Sequence, residues 1–264
     1  MLLSMIEAEE PRRWQELEQS AARLLQEANF EVKIRPSIPL ARGAAQVDLL
    51  VTDRVASPPQ VILVECKHWC RRVTQAEVHA FRTVVTDAGA NGGLLLSASG
   101  FQPGAQAAAR HSNVRLVTWQ EFQSIFAGRW MEWYARPSLI LSFHSLKEMT
   151  DIYHLDEDER LCDLSPQAAD AFWHWVRRAS PLVRLADFLS LPCFPFLPGL
   201  PQQPDRLVAL PLAEKKENFD LTGVPESLLH IPIARPFLDA LLTELDRTKA
   251  ELDHILPDRR HGSP

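Results

Sequence analysis

The chain has 264 residues, 46% hydrophobic and 23% charged, with a formal net charge of −6. These proportions describe an ordinary globular protein with room for one full domain and a smaller second one; no run of about 18 apolar residues exists to form a transmembrane helix. The acidic total argues against a generic nucleic-acid coat, but the charge is uneven: residues 1–130 carry 14 Lys+Arg against 13 Asp+Glu and residues 131–264 carry 14 against 21, which leaves room for a basic groove in the first half.

The N-terminus, "MLLSMIEAEEPRRW", turns acidic at once, unlike a secretory signal. Next, "PRRWQELEQSAARLLQEANF" places Trp14, Leu17, Ala21, Leu24, Leu25 and Ala28 at helical spacing. "EVKIRPSI" reads as a short strand, and "QVDLLVTD" and "VILVECK" as β-branched, apolar strands joined through "RVASPPQ". "TQAEVHAFRTVVTDAGA" sets Val78, Phe81, Val84 and Val85 on one helical face. Then come a buried strand "GGLLLSASG", a short helix "FQPGAQAAARHS", a strand "VRLVTW" and a closing helix "QEFQSIFAGRW". The order αβββαβαβ predicts an α/β fold, a mixed β-sheet flanked by helices.

The second half differs, holding 14 of the 20 prolines. "SPQAADAFWHWVRRAS" is a helix with Ser165 as N-cap and Pro166 in its first turn. "PCFPFLPGLPQQP" repeats proline every third residue, the period of a polyproline II connector. A last helix, about Pro236 to Leu256, carries a leucine stripe that covers either the core or a dimer mate. The expected division is a domain over 1–129 and an acidic, Pro-rich accessory, regulatory or oligomerising region over 130–264, with "LDEDE" at Leu155–Glu159 a poor grip for phosphates.

Chemistry gathers at the end of "VILVECKHWC". Residues i and i+2 of a strand share a face, so Glu65 and Lys67 lie together while Cys66 points into the core as an inert thiol. Asp48 interrupts "QVDLLVT" and, if the two strands pair, sits across from Glu65, with Gln46 on the same face. Converging carboxylates repel unless a cation lies between them; Mg²⁺ accepts two carboxylates plus substrate phosphate, and a neighbouring lysine stabilises charge growing on that phosphate. The bland alternative is a surface Glu65–Lys67 pair. Four cysteines, Cys66, Cys70, Cys162 and Cys193, fit a reducing cytoplasm, and Cys66-x-His68-x-Cys70 lacks the second ligand pair of a zinc site. There is no P-loop, G-x-S-x-G elbow or kinase signature.

Over residues 10–125, the first helix, "QVDLLV", "VECKHW", "DAGANGGLLLSASGFQPGAQAAA" and "VRLVTW" occur in an order that resembles the Mrr-like restriction endonucleases of the PD-(D/E)xK superfamily. The resemblance implies a restriction-endonuclease-like fold, with Asp48 and Glu65 as metal-binding acids, Lys67 as the catalytic lysine and Glu18 as a further carboxylate near the metal. It implies a Mg²⁺-dependent DNA endonuclease (Mn²⁺ as substitute) of bacterial restriction or anti-phage defence, acting in the cytoplasm and not at a membrane. Gln46, His68, Arg71 and Arg72 are the DNA-binding candidates around this centre. Trp69 is assigned to the core or an interface in preference to stacking on a base, Ser97 and Ser99 to capping the following helix, and His79 to a structural place near Gln75. Two alternatives stay open: a catalytically silent module binding DNA or a partner protein of a defence system, and a nuclease for RNA or branched DNA. Double-strand cutting would call for a homodimer, which the C-terminal helix is placed to supply.

Overall fold

The computed structural model describes residues 5–41, 43–151, 161, 164–190, 210–214 and 220–256. The chain divides into two compact units, Glu7–Tyr134 and the remainder from Ala135 together with Met1–Ile6. The proline-repeat segment, "LDEDE", Cys162 and Cys193 lie outside the described residues.

In the Glu7–Tyr134 unit, helix α1 (Trp14–Glu27) buries Leu17, Ala21, Leu24 and Leu25 at the spacing the sequence predicts. It ends where Asn29 takes φ 62° and the Phe30 amide donates back to Leu25 O, a Schellman closure that turns the chain into β1 (Glu31–Ile34). A hairpin follows, β2 (Ser37–Leu40) and β3 (Gly43–Gln46), which pair only with each other. Then come β4 (Leu49–Asp53), β5 (Gln60–Lys67), α2 (Gln75–Asp87), β6 (Gly92–Ser97), α3 (Pro103–Ala109), β7 (Val114–Val117) and α4 (Trp119–Trp130).

The main sheet has the order β1-β4-β5-β6-β7. β1, β4 and β5 run antiparallel; β5, β6 and β7 run parallel, with α2 and α3 as the crossovers parallel strands require. This is the mixed α/β architecture expected. On one face Leu63, Leu95 and Val114 pack with Val78, Phe81, Val85, Ala105 and Ala108. Gly93 allows that approach, since a Cβ there would stand 2.7 Å from Val85 and 2.8 Å from Phe81. Alternation sends Val64, Cys66 and Leu96 to the other face, where α1 and α4 pack.

Two strand expectations need correction. "EVKIRPSI" is not one strand: Arg35 takes φ 50° and Pro36 follows, so the chain breaks between β1 and β2. "QVDLLVTD" is not one strand either; Gln46 ends β3 opposite Ser37, whereas pairing with β5 starts at Leu49. Asp48 therefore stands in the gap between two strands.

The second unit is helical. Its elements are α5 (Arg136–Thr150), α6 (Pro166–Ser190), a 3-10 turn (Leu212–Glu214), α7 (Glu226–Leu229) and α8 (Ala234–Ile255). Ser165 caps α6 by accepting from the Ala168 amide at 3.2 Å. α6 runs ten residues past the predicted end, through Pro181. The bury pattern explains the extension: Leu182, Val183, Leu185, Ala186 and Leu189 are all buried, and that packing outweighs the hydrogen bond proline forfeits. The leucine stripe of α8 is settled as well. Leu238, Leu241, Leu245 and Leu252 are buried, and α8 packs on α5 and α6, so the stripe is spent on the unit's own core. The first amides of α8, which no helical carbonyl can satisfy, donate instead to Met5 O (3.0 Å) and Ile6 O (2.9 Å). That is why the N-terminal residues go with this unit. No helix among the described residues is long and apolar enough to cross a membrane.

Candidate active site

β5 outruns its antiparallel neighbour. The ladder ends at Leu49 opposite Val64, so the Cys66 amide has no strand partner on that side. The Asp48 carboxylate takes it, accepting from Cys66 N at 2.7 Å. A buried amide must find an acceptor, and here it is a side chain placed one step beyond the ladder, opposite Glu65. The Asp48 main chain is held too, its carbonyl accepting from Arg35 N at 2.8 Å.

Lys67 closes the group, its Nζ donating to Glu65 Oε1 at 2.5 Å. Both side chains are about a fifth exposed, 21% and 22%. Burial pushes the Asp48 carboxyl above the usual range, against the pull of the Cys66 amide, Lys67 and Arg35. Burial also raises Glu65, and the Asp48 charge raises it further, with Lys67 opposing. The acids thus repel each other in a partly desolvated corner beside one ammonium group. The Cys66 thiol, 1% exposed, is pushed well up by burial and then by Asp48, Glu18 and Glu65. It is an inert core group, as the alternation predicts.

Among the described residues no three His, Cys, Asp or Glu side chains are grouped to hold a metal by themselves. A hard divalent cation that keeps waters and shares substrate phosphate needs only one or two carboxylates. Asp48 and Glu65 supply hard oxygen donors whose mutual repulsion a cation would relieve, so they fit such an ion.

The other candidates scatter around this centre. Glu18 is 1% exposed on α1, and both its oxygens accept from Arg35 Nε, at 2.9 and 3.0 Å. Its charge adds to the burial that raises the Cys66 thiol. Gln46 is exposed in the small hairpin and donates to Arg35 O at 3.3 Å, off the strand face it was expected to share with Asp48. His68 Nε2 lies 3.0 Å from Pro11 O, tying the end of β5 to the segment that enters α1. Arg71 donates to Glu77 Oε1 at 2.7 Å and lies over the Trp69 ring at 4.3 Å, while Lys67 lies 5.0 Å from the same ring. Arg72 is exposed. Ser97 and Ser99 are not the cap of α3, whose N-cap is Gln102; their hydroxyls donate to Gly100 O and Trp69 O in the loops after β5 and β6. Exposed His79 pairs with Gln75 at 3.1 Å.

Sequence reasoning missed two neighbours. The Arg35 charge and the Trp14 side chain both lower the Asp48 carboxyl, against the effect of its burial. Arg35 lay inside an expected strand and Trp14 on an expected core stripe, so only a break at Arg35-Pro36 pointed to either.

Residues 11–126 match the family model described as restriction endonuclease, of the Mrr catalytic type. No curated protein matches. Among solved structures, the crystal structure of a protein of unknown function, AF1548, aligns at 15% identity and a TM-score of 0.37, covering 61% of this chain and 95% of that one. The restriction endonuclease MspJI in complex with a 27-mer oligonucleotide aligns at 20% identity and a TM-score of 0.29, over 44% of this chain and 28% of that one. The mixed sheet and the acid–lysine group where β4 and β5 part both lie within residues 11–126, the stretch that matches the Mrr-type restriction endonuclease model.

Proposed function

We propose that the Glu7–Tyr134 unit is a metal-dependent endonuclease that hydrolyses phosphodiester bonds in DNA. The observation that carries this reading is the meeting of Asp48, Glu65 and Lys67 at one strand end, with both carboxyls raised by burial and Glu65 raised further by Asp48. Such a grouping is costly unless a cation and an anionic substrate complete it.

Asp48 and Glu65 would hold Mg²⁺ or Mn²⁺, which when bound supplies Lewis-acid stabilisation of the phosphate and a more acidic water. The residues themselves do the rest. Asp48 is held rigid by the Cys66 amide at 2.7 Å, so its free oxygen keeps a fixed direction. Lys67 has three N–H donors and uses one on Glu65; the others remain to orient an attacking water and to neutralise charge on a phosphate oxygen. Arg71 and Arg72, just past the lysine, contribute backbone contacts that set position rather than sequence preference. A role in bacterial restriction or anti-phage defence, in the cytoplasm, agrees with the family. The helical unit is proposed as the controlling or partner-binding part; with the α8 leucines buried, dimerisation would need another surface.

The test is a substrate panel: end-labelled duplex DNA, single-stranded DNA, a branched junction and an RNA hairpin, each with the full chain and Mg²⁺. Internal cuts in duplex DNA are expected. Cutting confined to RNA or the junction would move the substrate class. Tight DNA binding with no cutting under Mg²⁺ or Mn²⁺ would establish the silent module instead.

A further inference from the structure

Arg35 is held from several sides at once. Its amide donates to Asp48 O at 2.8 Å, so its backbone is tied to the residue carrying one of the acids. Its Nε donates to both oxygens of Glu18, which is 1% exposed. Its guanidinium lies over the Trp14 ring, 4.4 Å from the centroid, and its charge lowers the Asp48 carboxyl against the effect of burial. Yet the Arg35 side chain is 41% exposed, and its terminal nitrogens have no partner among the described residues.

The asymmetry is informative. A purely structural ion pair gains nothing by sinking the carboxylate completely while leaving the guanidinium at the surface, and an apolar residue at position 18 would pack as well. Burying Glu18 behind Arg35 makes sense when the guanidinium must be fixed but available. Its inner nitrogen is occupied, one face is stacked, and the terminal N–H groups remain, the ones whose fork matches phosphate oxygens. Glu18, for its part, spends both oxygens on Arg35 Nε, from a helix that packs on the sheet face that carries Cys66.

We propose that Arg35 grips a nucleic-acid phosphate beside the Asp48–Glu65–Lys67 group and that Glu18 is its positioning residue, the buried carboxylate and the Trp14 ring fixing a guanidinium whose terminal nitrogens stay exposed. The inference rests on the reading of that group as a phosphodiesterase site, and it gives Glu18 a different task from the metal-side carboxylate that the family resemblance implies.

The experiment is fluorescence anisotropy of a labelled DNA duplex with the full chain, in EDTA, over a salt series. Glu18→Gln is compared with the double variant Glu18→Gln/Arg35→Gln, so that neither leaves an unpaired buried carboxylate. Losing Arg35 should weaken binding about tenfold and lower the slope of log K against log salt by about one. Arg35→Lys should keep the slope but lose part of the affinity, because a point charge lacks the fork. Arg110→Gln, beyond α3 at the far end of the parallel strands, should leave the slope unchanged. Manganese titration by calorimetry should show Glu18→Gln binding the ion like wild type, whereas Asp48→Asn binds it more weakly.

Equal affinity and slope for the single and double variants, with wild-type binding intact, would overturn the Arg35 assignment and leave the nuclease reading standing. A manganese loss in Glu18→Gln as large as in Asp48→Asn would overturn the positioning role. A wild type that neither binds nor cuts DNA would overturn both readings. Should the glutamine variants fail to fold, Arg35→Lys with wild-type affinity would by itself overturn the proposal.

Discussion

Removing Arg35 should destabilise the protein more than removing its partner. Arg35→Gln leaves Glu18, 1% exposed, as a buried charge with nothing opposite it; breaking a buried pair from this side costs about 3–5 kcal/mol. For a unit of this size that is a fall of about 10–20 °C in its transition. Glu18→Gln is different, because the freed Arg35 side chain is already 41% exposed and can turn into water. Its cost is the lost charge-assisted hydrogen bonding, about 1.5–3 kcal/mol, and the near-isosteric Gln keeps the packing. The double variant should then be more stable than Arg35→Gln alone, a coupling of about 1–3 kcal/mol. Differential scanning calorimetry of the full chain at neutral pH measures all three, read from whichever transition moves. Equal losses for the two single variants, or a larger loss from Glu18→Gln, would refute the claim that the buried carboxylate depends on the exposed guanidinium.

Three further outcomes are expected. Asp48 and Glu65 have raised carboxyl pKa values, burial being the leading cause; the folded state therefore binds protons more readily than the unfolded one, and the charged acids oppose folding above the raised pKa but not below the unfolded value. In EDTA, Asp48→Asn and Glu65→Gln should melt higher than wild type at pH 8, with the gain shrinking as pH falls toward about 4; a gain that grows in acid would contradict this. Gly93→Ala should cost about 1–3 kcal/mol in thermal unfolding, because its Cβ would meet Val85 and Phe81 below 3.0 Å; an unchanged melt would mean those side chains move freely. Ser165→Ala, which removes the α6 cap, should cost about 1 kcal/mol in the same scan.

What the sequence revealed follows from what repeats along it. β4, β5 and β6 are short apolar runs with turn residues between them, and α1 and α2 keep helical spacing, so their order and the Glu65–Lys67 face were legible. The β2–β3 hairpin was not. Pro36, Pro39 and the Ala44–Ala45 pair give no alternation, and the positive φ of Arg35 has no marker of its own in a non-glycine residue. Asp48 was placed correctly opposite Glu65, but for the wrong local reason: it bridges a gap in the ladder rather than sitting inside a strand. That same misreading put Gln46 beside it. Spacing along α1 sets Glu18 beside buried Ala21, Ala22 and Leu25 and Glu16 on the far side, but the Glu18 partner, Arg35, comes from a distant turn that spacing does not reveal. The α6 helix continued through Pro181 because burial of the following residues decides there, and a local rule for proline does not see it.

The most direct measurement is cleavage of supercoiled plasmid by the full chain with Mg²⁺, alongside Asp48→Asn, Glu65→Gln and Lys67→Ala variants whose folding and DNA binding are verified. The account predicts conversion to open-circular or linear DNA by wild type, abolished by EDTA, and a loss of about a hundredfold or more in each variant with DNA binding retained. Cleavage at wild-type rate by all three variants would show that Asp48, Glu65 and Lys67 are not the hydrolytic centre.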